Sequence, residues 1–240
     1  MSEVVRGVVI REIVVGESDK IITILAKDIG KISVSCKGSR KATSKTASGT
    51  SLFTYGDFNI YTGLKHFKLN SVDIIKSFYK VALDYETLIF ASYYAEILDK
   101  IDLFIEENNH ILFLLVKALK SLEDKKIEPR LTTAIFNFKL VELLGYTPIL
   151  DYCYNCFEVN FSPIYFGDEG VLCKGCRERN TEIKEEQIFV VKYILEKEID
   201  EIFNFNLGDI NTNFLYNISN IYIQKQIDFR VKSLEILDIE

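Results

Sequence analysis

Polar and apolar positions along the chain change their rhythm near residue 81. Before it the pattern is short and two-residue. Lys31 to Lys37 sets Ile32, Val34 and Cys36 on one side and Ser33, Ser35 and Lys37 on the other, as a half-buried strand requires. Val4 to Val15 and Lys20 to Ala26, rich in Val and Ile, flank the turn GESD and read as two more strands. After a polar loop, Ser51 to Thr62 alternates again, and Gly63 marks a turn into a fifth segment, Phe67 to Phe78. Five short strands before any helix predict a small barrel.

From Asp84 the period is helical. Phe90, Tyr94, Ile97, Ile101 and Phe104 form one stripe, with Leu88, Ala91, Ala95 and Leu98 beside it, so the first helix is predicted to be buried over much of its circumference. Asn108 to Glu123 reads as a second helix. A third starts at Pro129, suited to a first helical position, turns Leu131, Ile135 and Phe138 inward and stops at Gly145. A cysteine-bearing segment interrupts. Beyond it Ile188, Val191, Leu195, Ile199 and Ile202 keep a three- and four-residue spacing, and a last helix is expected near Thr212 to Phe229. The fold class read from this order is α+β: a five-stranded, closed or partly open barrel over residues 1–80, then a helical domain over 81–240 with a cysteine insert at 151–180.

Composition alters the picture once it is divided by position. The 240 residues carry a net charge of −6, which argues against a polyanion partner. Residues 1–80, however, hold 13 Lys/Arg against 7 Asp/Glu, a balance of +6, while residues 81–240 hold 16 against 28, a balance of −12. Only the first third resembles a surface for nucleic acid. The start, MSEVVRGVVI, lacks the features of a secretory signal, and the longest apolar run in a helical stretch, Ile111 to Val116, is far short of the roughly 18 residues that span a bilayer. A cytoplasmic protein is expected.

Four of the five cysteines form two CxxC pairs, Cys153/Cys156 and Cys173/Cys176, with sixteen residues between them. Cytosolic thiols stay reduced, so a metal explains the pairs better than disulfides do, and the spacing is that of a zinc site. Four thiolates complete a tetrahedron and leave no open position for water, which makes the zinc structural. A deaminase would need HxE and PCxxC, and neither is present. Lys174, Arg177 and Arg179 offer the insert a DNA contact, offset by Glu178 and Glu182.

The stretch KGSRKATSKTASG, Lys37 to Gly49, carries Lys37, Arg40, Lys41 and Lys45 and no acid. Its Gly, Ser and Thr content predicts a mobile backbone with donors for phosphate oxygens. On the next strand, Leu52, Thr54, Gly56, Phe58 and Ile60 are expected to face inward, which turns Phe53, Tyr55 and Tyr61 out beside the loop. Aromatic rings next to cations suit single-stranded nucleic acid, whose bases stack without regard to sequence. The loop can equally be a solvated connection, and the rings can pack against the helical part. Nucleotide, hydrolase and zincin motifs do not occur; His66 and His110 have no evident Cys or Ser partner, and Cys36 reads as a buried small residue.

Three segments, GESDKIITILAKDIGKISVSCKGSRK, ASYYAEILDKI and LVELLGYTPILDYCYNC with the second CxxC after it, resemble the RecO family of bacterial DNA repair and recombination mediators. The resemblance covers almost the whole chain. It implies an OB domain, a helical domain and an inserted zinc finger, with Cys153, Cys156, Cys173 and Cys176 as ligands of one Zn2+. It also implies binding of single- and double-stranded DNA, annealing of complementary strands, and work with RecR to load RecA onto DNA covered by single-strand-binding protein, without catalysis. By position, Lys37, Arg40 and Lys41 match the family's basic loop, whereas the SKTASGT that follows departs from its usual sequence. The competing reading is a zinc-containing adaptor that binds only protein, and a zinc hydrolase is a third.

Overall fold

The computed structural model describes residues 2–62, 67–102, 108–177, 180–227, 229 and 231–233. Packing divides the chain into two compact units, Met1–Glu123 with Val231–Glu240, and Asp124–Arg230. This division does not coincide with the change of period near residue 81.

In the first unit, β1 (Ser2–Val15), β2 (Asp19–Ala26), β3 (Gly30–Cys36), β4 (Thr54–Thr62) and β5 (Phe67–Ser77) form a closed barrel of order β1-β2-β3-β5-β4. The long β1 pairs with β2 on one side and β4 on the other, and a parallel pairing of β3 with β5, Val34 with Phe67 and Ser35 with Lys68, closes the ring. This is the OB fold. The alternation legible in β3 holds: Ile32, Val34 and Cys36 are buried with Ile22, Ile24, Phe58 and Ile60 in the barrel core. Helix α1 (Tyr85–Lys100) is capped by the Asp84 side chain, which accepts the Thr87 N–H at 3.0 Å, and buries Phe90, Tyr94, Ile97, Ala91, Ala95 and Leu98 as the two stripes required. Phe104 and Gly63 lie outside the described residues. Helix α2 (Asn108–Asp124) follows.

The second unit holds α3 (Pro129–Leu143), with Pro129 in its first turn and Gly145 just beyond its end at φ +83°. Three short strands come next, β6 (Ile164–Phe166), β7 (Val171–Cys173) and β8 (Thr181–Ile183), in the order β7-β6-β8. Phe166 of β6 packs edge-on to Phe138 of α3, with ring centroids 6.4 Å apart. Helix α4 (Glu185–Glu196) is shorter than its apolar spacing predicts, because Lys197 is already extended; Ile199 and Ile202 are buried beyond its end. Glu196, Glu198, Asp200 and Glu201 would crowd the negative end of a longer helix's dipole. Helix α5 (Asp209–Gln226) contacts α3, and Asn137 of α3 donates to Asn220 Oδ1 at 2.8 Å.

Candidate functional site

The two CxxC pairs sit on tight turns between α3 and α4. Phe157, in the left-handed region at φ +63°, donates its N–H to Cys153 O at 2.8 Å, and Cys153 donates its own to Glu158 O at 2.9 Å. In the second pair, the N–H groups of Cys176 and Arg177 both reach Cys173 O at 3.1 Å. These turns bring the four sulfurs within 4.8 Å of one another, and Cys156 Sγ lies 3.7 Å from Cys173 Sγ. A tetrahedron with zinc–sulfur bonds of about 2.3 Å has an edge of about 3.8 Å. The donor set therefore fits a single ion, with the longer edges contracting by about 1 Å. Cys153 and Cys173 are buried, and Cys156 is exposed.

The sulfurs are electrostatically unequal. Burial pushes the Cys153 thiol up, but the N–H groups of Cys173, Cys156 and Asn155 converge on it and bring it down to about 6. The neighbouring Cys156 sulfur, with burial, pushes Cys176 up to about 12. A cation in the middle would relieve this crowding of thiols and displace their protons. Beside the cluster, Gly170 at φ +139° makes a parallel bridge with Ile149; an added Cβ would lie 2.0 Å from Ile149 O. That close approach ties the knuckle to the chain leaving α3, and only glycine permits it.

The basic loop differs from its expectation in one respect: several hydroxyls in it and just after it bond the loop's own backbone, while Thr43 and Ser48 stay exposed. Ser39 Oγ donates to Cys36 O at 3.0 Å, Thr50 Oγ1 to Thr46 O at 2.9 Å, and Ser51 Oγ to Ala47 O at 3.2 Å. These hydroxyls thus order the loop in place of loosening it. Arg40 is also engaged, since its guanidinium donates to Glu17 O at 3.0 Å and Gly16 O at 3.3 Å in the β1–β2 turn. Asp19, which sequence reasoning passed over, anchors the loop's start by accepting the Gly38 N–H at 2.8 Å. That bond, with the Ser18 hydroxyl and the charges of Lys37 and Lys41, holds the Asp19 carboxyl below its ordinary range. Lys37, Lys41 and Lys45 are exposed and hold no ion pair among the described residues.

The aromatic strand is corrected at one position. Phe53 is buried, not turned out: at φ +62° it breaks the alternation just before β4 begins, and its N–H donates to Val9 O at 2.9 Å. Tyr55 is half-buried on β4, between Val8 of β1 and Lys76 of β5; Tyr61 is exposed. Cys36 is buried, and burial pushes its thiol up to about 12, as suits an inert core residue. His110 is exposed; His66, Glu178 and Arg179 lie outside the described residues. Arg177 lies over the Tyr165 ring, 4.4 Å from its centroid. Among the described residues, no helix is long and apolar enough to cross a membrane.

The fold and the cysteine cluster define an OB-fold protein whose second unit carries a four-cysteine knuckle able to bind a metal ion. Residues 1–78 match the family model described as recombination protein O N terminal, and residues 82–235 match recombination protein O C terminal. The DNA repair protein RecO of Clostridium acetobutylicum is 31% identical over 238 residues, covering 98% of this chain and 96% of its own. That of Acetivibrio thermocellus is 29% identical over 236 residues, covering 96% and 94%. That of Listeria welshimeri is 26% identical over 238 residues, covering 96% and 92%. The chain belongs to the RecO family of DNA repair proteins.

Proposed function

We propose that the protein binds single- and double-stranded DNA without sequence preference, anneals complementary strands and, with RecR, helps load RecA onto DNA coated by single-strand-binding protein. The barrel region, residues 1–80, is the DNA-binding part, and the remainder is helical with its insert at 151–180. The observation that carries the DNA assignment is the loop on the OB barrel, where Lys37, Lys41 and Lys45 stand exposed with no ion pair among the described residues. Annealing requires that the phosphates of two strands be neutralised together, and cations on an ordered loop do this without reading bases. No bond is broken, so no catalytic residue is assigned. Membership of the RecO family supports the partner assignments and a place of action in the cytoplasm, at the nucleoid.

The ion assigned to the knuckle is one zinc, held by Cys153, Cys156, Cys173 and Cys176. Four sulfurs close its shell, so its role is to fix the fold of the insert.

Titration of a labelled single-stranded oligonucleotide at several salt concentrations tests the reading. With the three exposed loop lysines on phosphates, log K against log salt should have a slope near −2, about 0.7 for each contact. An adaptor that binds only protein gives no binding, and a zinc K-edge spectrum with fewer than four sulfurs would point to an open, hydrolytic metal site. Strand annealing with and without single-strand-binding protein, for wild type and the Arg40→Ala/Lys41→Ala pair, extends the test to the mediator role.

A further inference from the structure

We infer that Tyr61 and Lys68 extend the basic loop into a strip across the outer face of the barrel, where Tyr61 stacks a base of single-stranded nucleic acid and Lys68 takes a neighbouring phosphate. The inference rests on the DNA-binding reading above, and strand register carries it. In the β4–β5 pairing Tyr61 stands opposite Lys68, and in the β3–β5 pairing Lys68 stands opposite Ser35. Ile60, Phe67 and Leu69 face the barrel core, so the residues alternating with them, Tyr61 and Lys68, point outward. Tyr61 is 52% exposed, and Lys68 is exposed.

On β3 the inward set Ile32, Val34 and Cys36 leaves Ser33 and Ser35 on the outer face, and Lys37 continues that row as the chain enters the loop. Neighbouring strands lie about 4.8 Å apart, so Tyr61 is roughly 10 Å from Ser35 across β5; Lys37 is roughly 7 Å further along β3. One ring and two ammonium groups thus lie along a path of a few nucleotides, inside the footprint of about 4–16 that an OB fold covers.

The distribution of engaged charges selects this strip. Arg6 pairs with Asp57 at 2.7 Å, Arg11 with Asp99 at 3.1 Å, Lys20 with Glu12 at 3.1 Å and Lys76 with Glu123 at 2.6 Å, while Lys31 donates to the carbonyls of Asp99 and Ile101. Lys68 holds no such partner among the described residues. Lys27 and Lys80 also hold no ion pair among the described residues, but Lys27 lies in the β2–β3 turn and Lys80 in the short helix after β5, away from this row. The same contrast separates the two tyrosines of β4: Tyr55 stands opposite Lys76, whose ammonium is held by Glu123, and Tyr61 stands opposite the unpaired Lys68.

The test uses the full chain and a single-stranded oligonucleotide carrying 2-aminopurine, titrated at several salt concentrations. Tyr61→Ala should weaken binding by about tenfold, diminish quenching of the probe base and leave the salt slope unchanged, and Tyr61→Phe should restore all of it. Lys68→Ala should flatten the slope by about 0.7. Tyr79→Ala, at another exposed tyrosine after β5, should change nothing. Tyr61→Ala binding within twofold of wild type, or Lys68→Ala with an unaltered slope, overturns the strip. If wild type binds and Lys41→Ala alone flattens the slope, only the strip falls; if wild type does not bind, the DNA reading falls with it.

Discussion

The cysteine knuckle and the basic loop are both side chains gathered on turns, but they are held together in opposite ways. In the knuckle the four sulfurs, all within 4.8 Å, repel as thiolates and attract a common ion, so the functional groups are also the fastening. In the loop the fastening is done by other groups, namely the Asp19 carboxylate, the Ser39 and Thr50 hydroxyls and the Arg40 guanidinium, which leaves the ammonium groups of Lys37, Lys41 and Lys45 exposed and without an ion pair among the described residues. A site that stabilises the fold can thus be distinguished from one that binds a partner by asking which of its groups are already satisfied.

Substitution should separate them most strongly at the cysteines. Cys153→Ser with Cys173→Ser removes half of the ligands, and apparent zinc affinities of small fingers are on the order of 10 kcal/mol. Elemental analysis should show loss of stoichiometric zinc, and limited proteolysis should cut within residues 151–180; zinc retained by the double variant would break the comparison at its first term. A smaller effect is expected at Gly170→Ala. The residue's φ of +139° and the 2.0 Å approach to Ile149 O both oppose a Cβ, at a cost of about 1–3 kcal/mol or more, to be read as a lower Tm with DNA binding unchanged.

Acid should affect the two units in turn. Metal affinity falls as thiolates protonate, so the knuckle releases its ion early in an acid titration. The first unit depends on Glu96, which burial would raise but which the Lys100 ammonium, the Ser233 hydroxyl and the N–H groups of Lys232 and Ser233 hold at about 2, against an ordinary 4.5. Its folded value is depressed, so its stabilisation is complete above 4.5 and is lost as pH falls through about 2. Hydrogen exchange at the Ser233 N–H should stay protected after the metal has left, and Glu96→Gln should abolish that late acid transition. Smaller again is Arg40→Ala, which loses two hydrogen bonds to the β1–β2 turn and should cost about 1 kcal/mol of stability, read as a lower Tm; Lys41→Ala should cost none.

How far the sequence discloses each region follows from the same distinction. The knuckle was legible from spacing alone, because CxxC geometry is local and its partner groups are the cysteines themselves. The barrel strands were legible because each runs at least seven residues, long enough to display a period of two. Strands β6, β7 and β8, of three residues each, are too short to show one. Phe53 was misplaced because one left-handed residue reverses the faces, a backbone event with no signature in the side-chain pattern. The loop's charge was plain in KGSRK, yet its order depends on contacts to Gly16, Glu17 and Asp19, about twenty residues upstream. Which cations remain unpaired is a property of the folded barrel alone.

The most direct test of the account is the salt dependence of single-stranded DNA binding for wild type and the triple variant Lys37→Ala/Lys41→Ala/Lys45→Ala. The account predicts that the variant keeps its zinc and its Tm while the log–log slope flattens by about 2, three contacts at about 0.7 each. A triple variant whose slope matches wild type would contradict it.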